Sequence, residues 1–399
     1  MEITSGIHFP IGVEMTEEVK RILNKLSLEE KIALCSGKDF WHTEAVNCEE
    51  LPEVMMCDGP HGLRKQEEES DHLGINESIK TVCYPSASAL AASFDLDVLS
   101  ELGNALGQEC QAENVGMLLG PGLNMKRSPL CGRNFEYFSE DPYLAGKLAC
   151  AYIKGLQKRG VAACVKHFAA NNQETQRMNS SSNVDERTLR EIYLPAFEMA
   201  VKEGKTRSVM CAYNAINGIF CSENKKLLND ILREEWGFEG FVVTDWGAKK
   251  GAAAGVKAGL NLVMPGGHGT HEQMLKESLK HHELTEEQLN TAVADILQFI
   301  LDAYRNKLPN AEIDREKCSE LSGELAAQCA VLLKNEDILP LKKDTKIAVI
   351  GDFAKHPRYQ GSGSSHINAS KTICAIEILK EKEACFLVAK GFDADADKP

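Results

Sequence analysis

No stretch of the 399-residue chain reaches the roughly 18 consecutive apolar residues that a membrane-crossing helix needs. The opening segment, MEITSGIHFPIGVEM, has neither a basic start nor a continuous apolar core, so it does not read as a secretory signal. Cys-x-x-Cys pairs are missing, and no Cys/His cluster has the spacing of a zinc site. The 14 cysteines are scattered, and Cys57, Cys110, Cys164 and Cys211 lie inside apolar runs, where a free thiol behaves as a small hydrophobe. Together these absences predict reduced thiols, a cytoplasmic location, no membrane partner and no metal. Positive charge is in deficit: 45 Lys and Arg against 59 Asp and Glu give −14, which argues against a nucleic-acid or anionic-membrane partner. Nucleotide-binding loops are also missing. GSGSSH at 361–366 follows the strand-like KIAVIG, but it lacks both the G-x-G-x-x-G pattern and the Gly-Lys-Ser/Thr of a P-loop. No cofactor is expected.

What the chain does have is a globular balance of 43% hydrophobic and 26% charged residues, over a length too great for one ordinary core. Two domains are therefore expected. Six short runs, at 54–56, 115–119, 161–165, 208–212, 241–243 and 262–264, are apolar on both faces, as parallel strands covered by helices are. Helix starts lie between and around them. Ser27 to Glu30 forms a capping box, and Asp97, Pro142, Asp185, Asn224 and Thr285 open further helices. This alternation has the size and rhythm of a TIM-type (β/α)8 barrel, with six strands legible and irregularity allowed for. The barrel is expected over 1–303 and a polar, Pro-containing linker over 304–317. A second α/β unit follows over 318–399, with a helix at about 318–333 and a strand at 346–350. That unit is shorter than a usual domain, so it is expected to be incomplete.

The strand ends carry the chemistry. Asp58 and Arg64 follow the first run, Arg133, Glu136 and Glu140 the second, and Lys166, His167, Asn171, Asn172, Glu174 and Arg177 the third. Tyr213 follows the fourth, and Asp245 and Trp246 the fifth. In such barrels the active site lies at this C-terminal face. Within GFEGFVVTDWGA at 237–248 the apolar strand stops at a carboxylate and an indole. That pair suits attack on a sugar carbon and stacking on a sugar ring; an N-capping Asp is the plainer alternative.

Several motifs, in order and with fitting spacing, resemble family 3 glycoside hydrolases of the two-domain β-glucosidase type. They are CDGPHGLR at 57–64, GPGLNMKRSPLCGRNFEYFSEDP at 120–142 and CVKHFAANNQETQR at 164–177, then VDERTLREIYLPAFE at 184–198, MCAYNAINGIFCSEN at 210–224 and GFVVTDWGA at 240–248. The resemblance implies a retaining exo-β-glycosidase that hydrolyses terminal β-glucosyl residues of short glucosides or oligosaccharides. Asp245 would be the nucleophile that forms a covalent glycosyl intermediate. Asp58 would accept hydrogen bonds from sugar hydroxyls. Arg64, Arg133, Lys166, His167 and Arg177 would line the pocket, Arg64 being the one with most claim to a structural role. Tyr213 and Trp246 would stack on the sugar. The general acid is expected from a Glu of the second domain further along than Pro399; the family pattern does not give that role to Glu136 or Glu140. Two departures matter. GAKKGAAAGVKAGL follows Trp246 where members often carry a His–Asp–Arg-like run, and KHFAANNQ replaces the KHFPGHG-type loop of the one-domain N-acetylglucosaminidases. Resemblance turns the 361–366 loop toward the sugar pocket; a flexible surface loop is the other reading. A sugar-binding fragment with little turnover, a homo-oligomer and a missing C-terminal part stay open.

Overall fold

The computed structural model describes residues 15–67, 70–71 and 75–392. Five parallel strands form its central sheet: β1 (Met55–Asp58), β2 (Val115–Leu119), β3 (Ala162–Phe168), β4 (Ser208–Cys211) and β5 (Phe241–Thr244). They are hydrogen-bonded in sequence order. All seven residues of β3 are buried, because side chains above and below the strand both meet other elements. Helices Leu96–Ala112 and Pro142–Gln157 connect β1 to β2 and β2 to β3. They pack backbone to backbone: a Cβ at Gly103 would stand 2.2 Å from Tyr152 O, and one at Gly155 2.2 Å from Ser100 O. Larger residues at either position would push the helices apart.

The sixth apolar run, 262–264, is not a regular strand. Leu262 bridges Val243 and Val263 bridges Ser36, both parallel, and two antiparallel bridges, Gly37 with Thr43 and His42 with Met55, lead back to β1. The two edges of the curled sheet are thus joined by single bridges rather than by full strands. Two residues stop the ladder. Pro265 has no N–H to extend it, and Gly266 lies on Gly37 so closely that a Cβ would stand 1.5 Å from Gly37 O.

Helix starts follow their caps. Ser27 and Glu30 form the capping box that opens Leu28–Leu34, and Thr285 and Gln288 form the one that opens Glu286–Asn306. The helix expected from Asp185 to about residue 204 is broken instead. Glu186–Thr188 leads into a π turn at Leu189–Tyr193, and Pro195, which cannot donate to the preceding turn, restarts the helix as Pro195–Lys202.

After residue 306 a second α/β unit packs along the first. Its helix Arg315–Gln328 is capped by Asp314. That helix runs up the side of the first unit. Arg315 pairs with Glu113 at 2.7 Å, just before β2, whereas Ser322 Oγ donates to Cys83 O at 3.1 Å, beside the strand-end loops. Strands β6 (Ile347–Ile350) and β7 (Phe386–Ala389) pair in parallel, with helix Ala375–Glu381 between them in sequence. No helix among the described residues is long and apolar enough to cross a membrane.

Candidate functional site

The site assembles where β1, β3 and β5 end. Asp245 is the first residue after β5, and its backbone N–H donates to Cys211 O at 3.1 Å, which fixes it across the end of β4. Its Oδ1 accepts from Trp246 N at 2.8 Å. Its Oδ2 is buried and has no hydrogen-bond partner among the described residues; His167 Nε2 stands 3.6 Å from it. Burial pushes the Asp245 carboxyl above its usual range, while Arg133, Lys166 and Arg177 pull it back toward ionisation. The result is a carboxylate with one oxygen anchored and the other facing His167 without a hydrogen bond among the described residues.

Lys166 and His167 stand next to the end of β3, with side chains turned toward Asp58 and Asp245. Burial opposes charge on Lys166, but Asp58, Glu136 and Asp245 outweigh it and hold the ammonium protonated. Its Nζ meets Asp58 Oδ1 at 3.0 Å, with both side chains nearly buried. His167 goes the other way: burial, then Arg133, Lys166 and Arg177, hold its imidazole far below the usual range, so it is neutral. Asn124 clamps its backbone with two 2.9 Å bonds, and Tyr137 OH meets its Nδ1 at 3.1 Å. Neutral His167 can therefore present Nε2 to a neutral hydroxyl without adding charge to the pocket.

Arg133 is held by Glu136. Arg177 pairs with Glu174 at 2.8 Å, and its guanidinium lies 4.6 Å from the Tyr213 ring centre. Tyr213 donates to Trp246 O at 2.7 Å, and burial beside Asp245 drives its phenol far above the usual range. Asp58, Arg133, Lys166, His167, Arg177 and Tyr213 are thus brought around Asp245.

Arg64 and Trp246 are engaged elsewhere. The Arg64 guanidinium donates twice to Asp71 O at 3.0 Å and contacts Asp71 Oδ1 at 3.4 Å, so it ties a loop together. The Trp246 indole donates to Phe40 O at 2.8 Å and packs 5.2 Å from the Trp41 ring, which leaves it mostly buried in an aromatic cluster. Four residues without an assigned role belong to the same neighbourhood. Glu136 is buried, and despite that burial Arg133, Lys166 and Ser365 hold its carboxyl below the usual range. Burial raises Glu174 against the pull of Arg133 and Arg177. His61 is buried with neither ring nitrogen bonded among the described residues, and burial pulls it down to about 4. Ser365, from the second unit, donates to Glu136 Oε2 at 3.1 Å. Among the described residues no group of three or more His, Cys, Asp or Glu could hold a metal ion.

The end of the parallel sheet thus gathers a buried carboxylate, cations and neutral donors. Comparison with known proteins narrows what such a site can be. Residues 54–299 match the glycosyl hydrolase family 3 N terminal domain, and residues 330–389 match the family's C-terminal domain. The chain belongs to glycosyl hydrolase family 3. It is 54% identical over 368 residues to the thermostable beta-glucosidase B of Acetivibrio thermocellus, covering 92% of this chain and 49% of that protein. To the exo-alpha-(1->6)-L-arabinopyranosidase of Bifidobacterium longum it is 41% identical, covering 96% of this chain and 52% of that one. Beta-glucosidase 3B from Thermotoga neapolitana, solved in complex with alpha-D-glucose, superposes with a TM-score of 0.87 at 40% identity, covering 93% of this chain and 55% of that one. The chain spans about half the length of the curated relatives it matches.

Proposed function

We propose that this chain carries the nucleophile and sugar-binding half of a retaining exo-β-glycosidase, with terminal β-glucosyl residues as substrate. The observation that carries the reading is the free, buried Oδ2 of Asp245, set among Arg133, Lys166 and Arg177. An oxocarbenium-like carbon placed against that oxygen would gain both charge stabilisation and a covalent partner. The cations keep Asp245 available as an anion in a buried site. Asp58, already paired with Lys166, would accept from hydroxyls remote from the scissile bond, and neutral His167 would contact another. Arg64 and Trp246 would act from behind, by shaping the loops they tie down.

Leaving-group protonation has a different source. Glu136 is held ionised between Arg133 and Lys166, so it has no proton to supply. In this reading the proton comes from the Glu that the family's C-terminal domain supplies as general acid. The same reading divides the chain into a catalytic unit over 1–303, a linker over 304–317 and the C-terminal unit from 318. It takes the single bridges at 36, 37, 42, 43, 262 and 263 as the closing staves of an irregular barrel. Fourteen unpaired cysteines support a cytoplasmic setting.

The test is trapping with a 2-deoxy-2-fluoro β-glucoside bearing a dinitrophenolate leaving group, followed by peptide mapping. Label on Asp245 is expected, and label on any other carboxylate would remove the assignment. Comparing dinitrophenyl and alkyl glucosides tests the acid. Brisk cleavage of both would place an acid inside these 399 residues, with Glu174 the first to replace. Glucose binding with neither substrate cleaved would establish a binding protein instead. The arabinopyranosidase relative makes nitrophenyl α-L-arabinopyranoside the natural competitor for the specificity assay.

A further inference from the structure

The loop 361–366 is where the second unit touches the catalytic neighbourhood. Gln360 closes it: Oε1 accepts from Ile367 N at 2.7 Å, and Nε2 donates to Ile367 O at 2.9 Å. Thr81 N donates to Asn368 O at 3.1 Å and Ser370 N to Thr81 O at 2.8 Å, so the segment is stapled to the first unit by backbone bonds. Gly361 lies on the Phe135 ring, where a Cβ would stand 2.4 Å from the ring edge. Held in this way, Ser365 is 2% exposed and its hydroxyl reaches Glu136 Oε2 at 3.1 Å. The other Glu136 oxygen accepts from Arg133 Nε. Phe135, Glu136 and Arg133 belong to one short turn, so the loop grips that turn from two sides.

Glu136 is 1% exposed, and a carboxylate at that depth must be matched. Arg133 and Lys166 match it, with Ser365 as the neutral donor; Tyr137, Glu174 and His61 are its other titratable neighbours. Asp245 is faced by Arg133, Lys166 and Arg177, and by His167 and Tyr213. Arg133 and Lys166 therefore serve two carboxylates at once. Without the negative charge of Glu136, Arg133 would lose its paired carboxylate and act more strongly on Asp245, whereas Lys166 would still be paired with Asp58.

We propose that Glu136 is a positioning residue, which fixes Arg133 at the pocket and balances the positive charge presented to Asp245, and that Ser365 makes this control depend on how the second unit's loop is seated. Its meaning for catalysis rests on Asp245 being the nucleophile, whereas its geometry and charge are measurable without turnover.

The experiment uses the full chain with its side-chain carboxyls labelled with carbon-13 and the Asp245 signal assigned by Asp245→Asn. In Glu136→Gln the Asp245 titration midpoint is expected to fall by about one unit, the low end of what one nearby charge does. Glu136→Asp, which keeps the charge, should return it. The Arg133 Nε–H signal reports Ser365: its exchange with water should quicken about fivefold in Ser365→Ala, one hydrogen bond's net worth, and recover in Ser365→Thr. An unmoved Asp245 midpoint in folded Glu136→Gln would overturn the proposal. So would equal Arg133 exchange in Ser365→Ala and wild type, and this second arm decides the matter should Glu136→Gln fail to fold. Trapping on a carboxylate other than Asp245 would undo the functional assignment while leaving the titration result standing.

Discussion

β3 and the strands of the second unit are built from the same kind of residue and end up in different surroundings. Every residue of β3 is buried. In β6 and β7, by contrast, Ile350 is 71% exposed and Leu387 81%, and Leu333, in the chain that leads to β6, is 91% exposed. Exposure does not mean loose attachment, however, since the 361–370 segment of the same unit is stapled to the first by backbone bonds and a buried Ile367. Strand composition and docking are thus separable. The first unit covers its own sheet, whereas the second is anchored through a loop and a helix while its sheet lacks cover from the described residues.

Substitutions can break this contrast, beginning with the largest effect. Asp245→Asn should cut glycosyl trapping by about 10³-fold or more, the scale seen when a charged transition-state partner is removed, while leaving the melting temperature nearly unchanged. Lys166→Met strands Asp58 in a buried position and should cost about 3–5 kcal/mol in denaturant unfolding. Leu118→Ala, in the fully buried centre of β2, should cost about 2–5 kcal/mol.

A pH series sharpens the contrast at the seam between the units. Glu109 lies there, bonded to Tyr84 OH at 2.9 Å, with Cys318 of the second unit close by. Burial raises its pKa from 4.5 to about 7, so the folded state favours its proton and stability is lost as pH rises through that window. The span corresponds to roughly 3 kcal/mol. Buried His61 and His271, pulled from 6.5 down to about 4, have the opposite slope: stability is lost as pH falls through theirs. The two trends oppose each other between about 4.5 and 6.5. Glu109→Gln should remove the first, so the melting temperature should rise more steeply with pH over 4.5–7 than in wild type. The smallest effect belongs to Leu387→Ala, within about 0.5 kcal/mol because the side chain has little burial to lose. A cost near that of Leu118→Ala would show that the second sheet is covered after all.

Much of the first unit was legible because buried parallel strands are apolar on both faces, a signal that needs no partner to be read. Caps at Ser27 and Thr285 were legible for a similar reason: the whole signal lies within four residues. The run at 262–264 misled because its failure to form a strand depends on Pro265 and on the approach of Gly266 to Gly37, which lies over 200 residues away. Two-residue strands such as Ser181–Ser182 and Ala215–Ile216 have no period to detect. At the site, residue types at strand ends pointed to a charged pocket, but pairings did not follow from them. Arg64 and Trp246 sit on the expected loops, yet their side chains are committed to Asp71 and Phe40. Glu136 lay in plain view within a motif, and its partner Ser365, 229 residues further on, carried no signal beyond a Ser/Gly loop.

The Arg315–Gln328 helix, bonded near its lower end to Glu113 and midway to Cys83, acts as a ruler. Fourteen residues at 1.5 Å each give it a length of about 21 Å, set by backbone geometry alone. One inserted residue would lengthen it by only about 1.5 Å but turn its two ends about 100° relative to each other. Evolution can therefore vary the composition of this helix far more freely than its residue count, because its phase sets where the following chain, including the loop at 361–366, returns to the pocket.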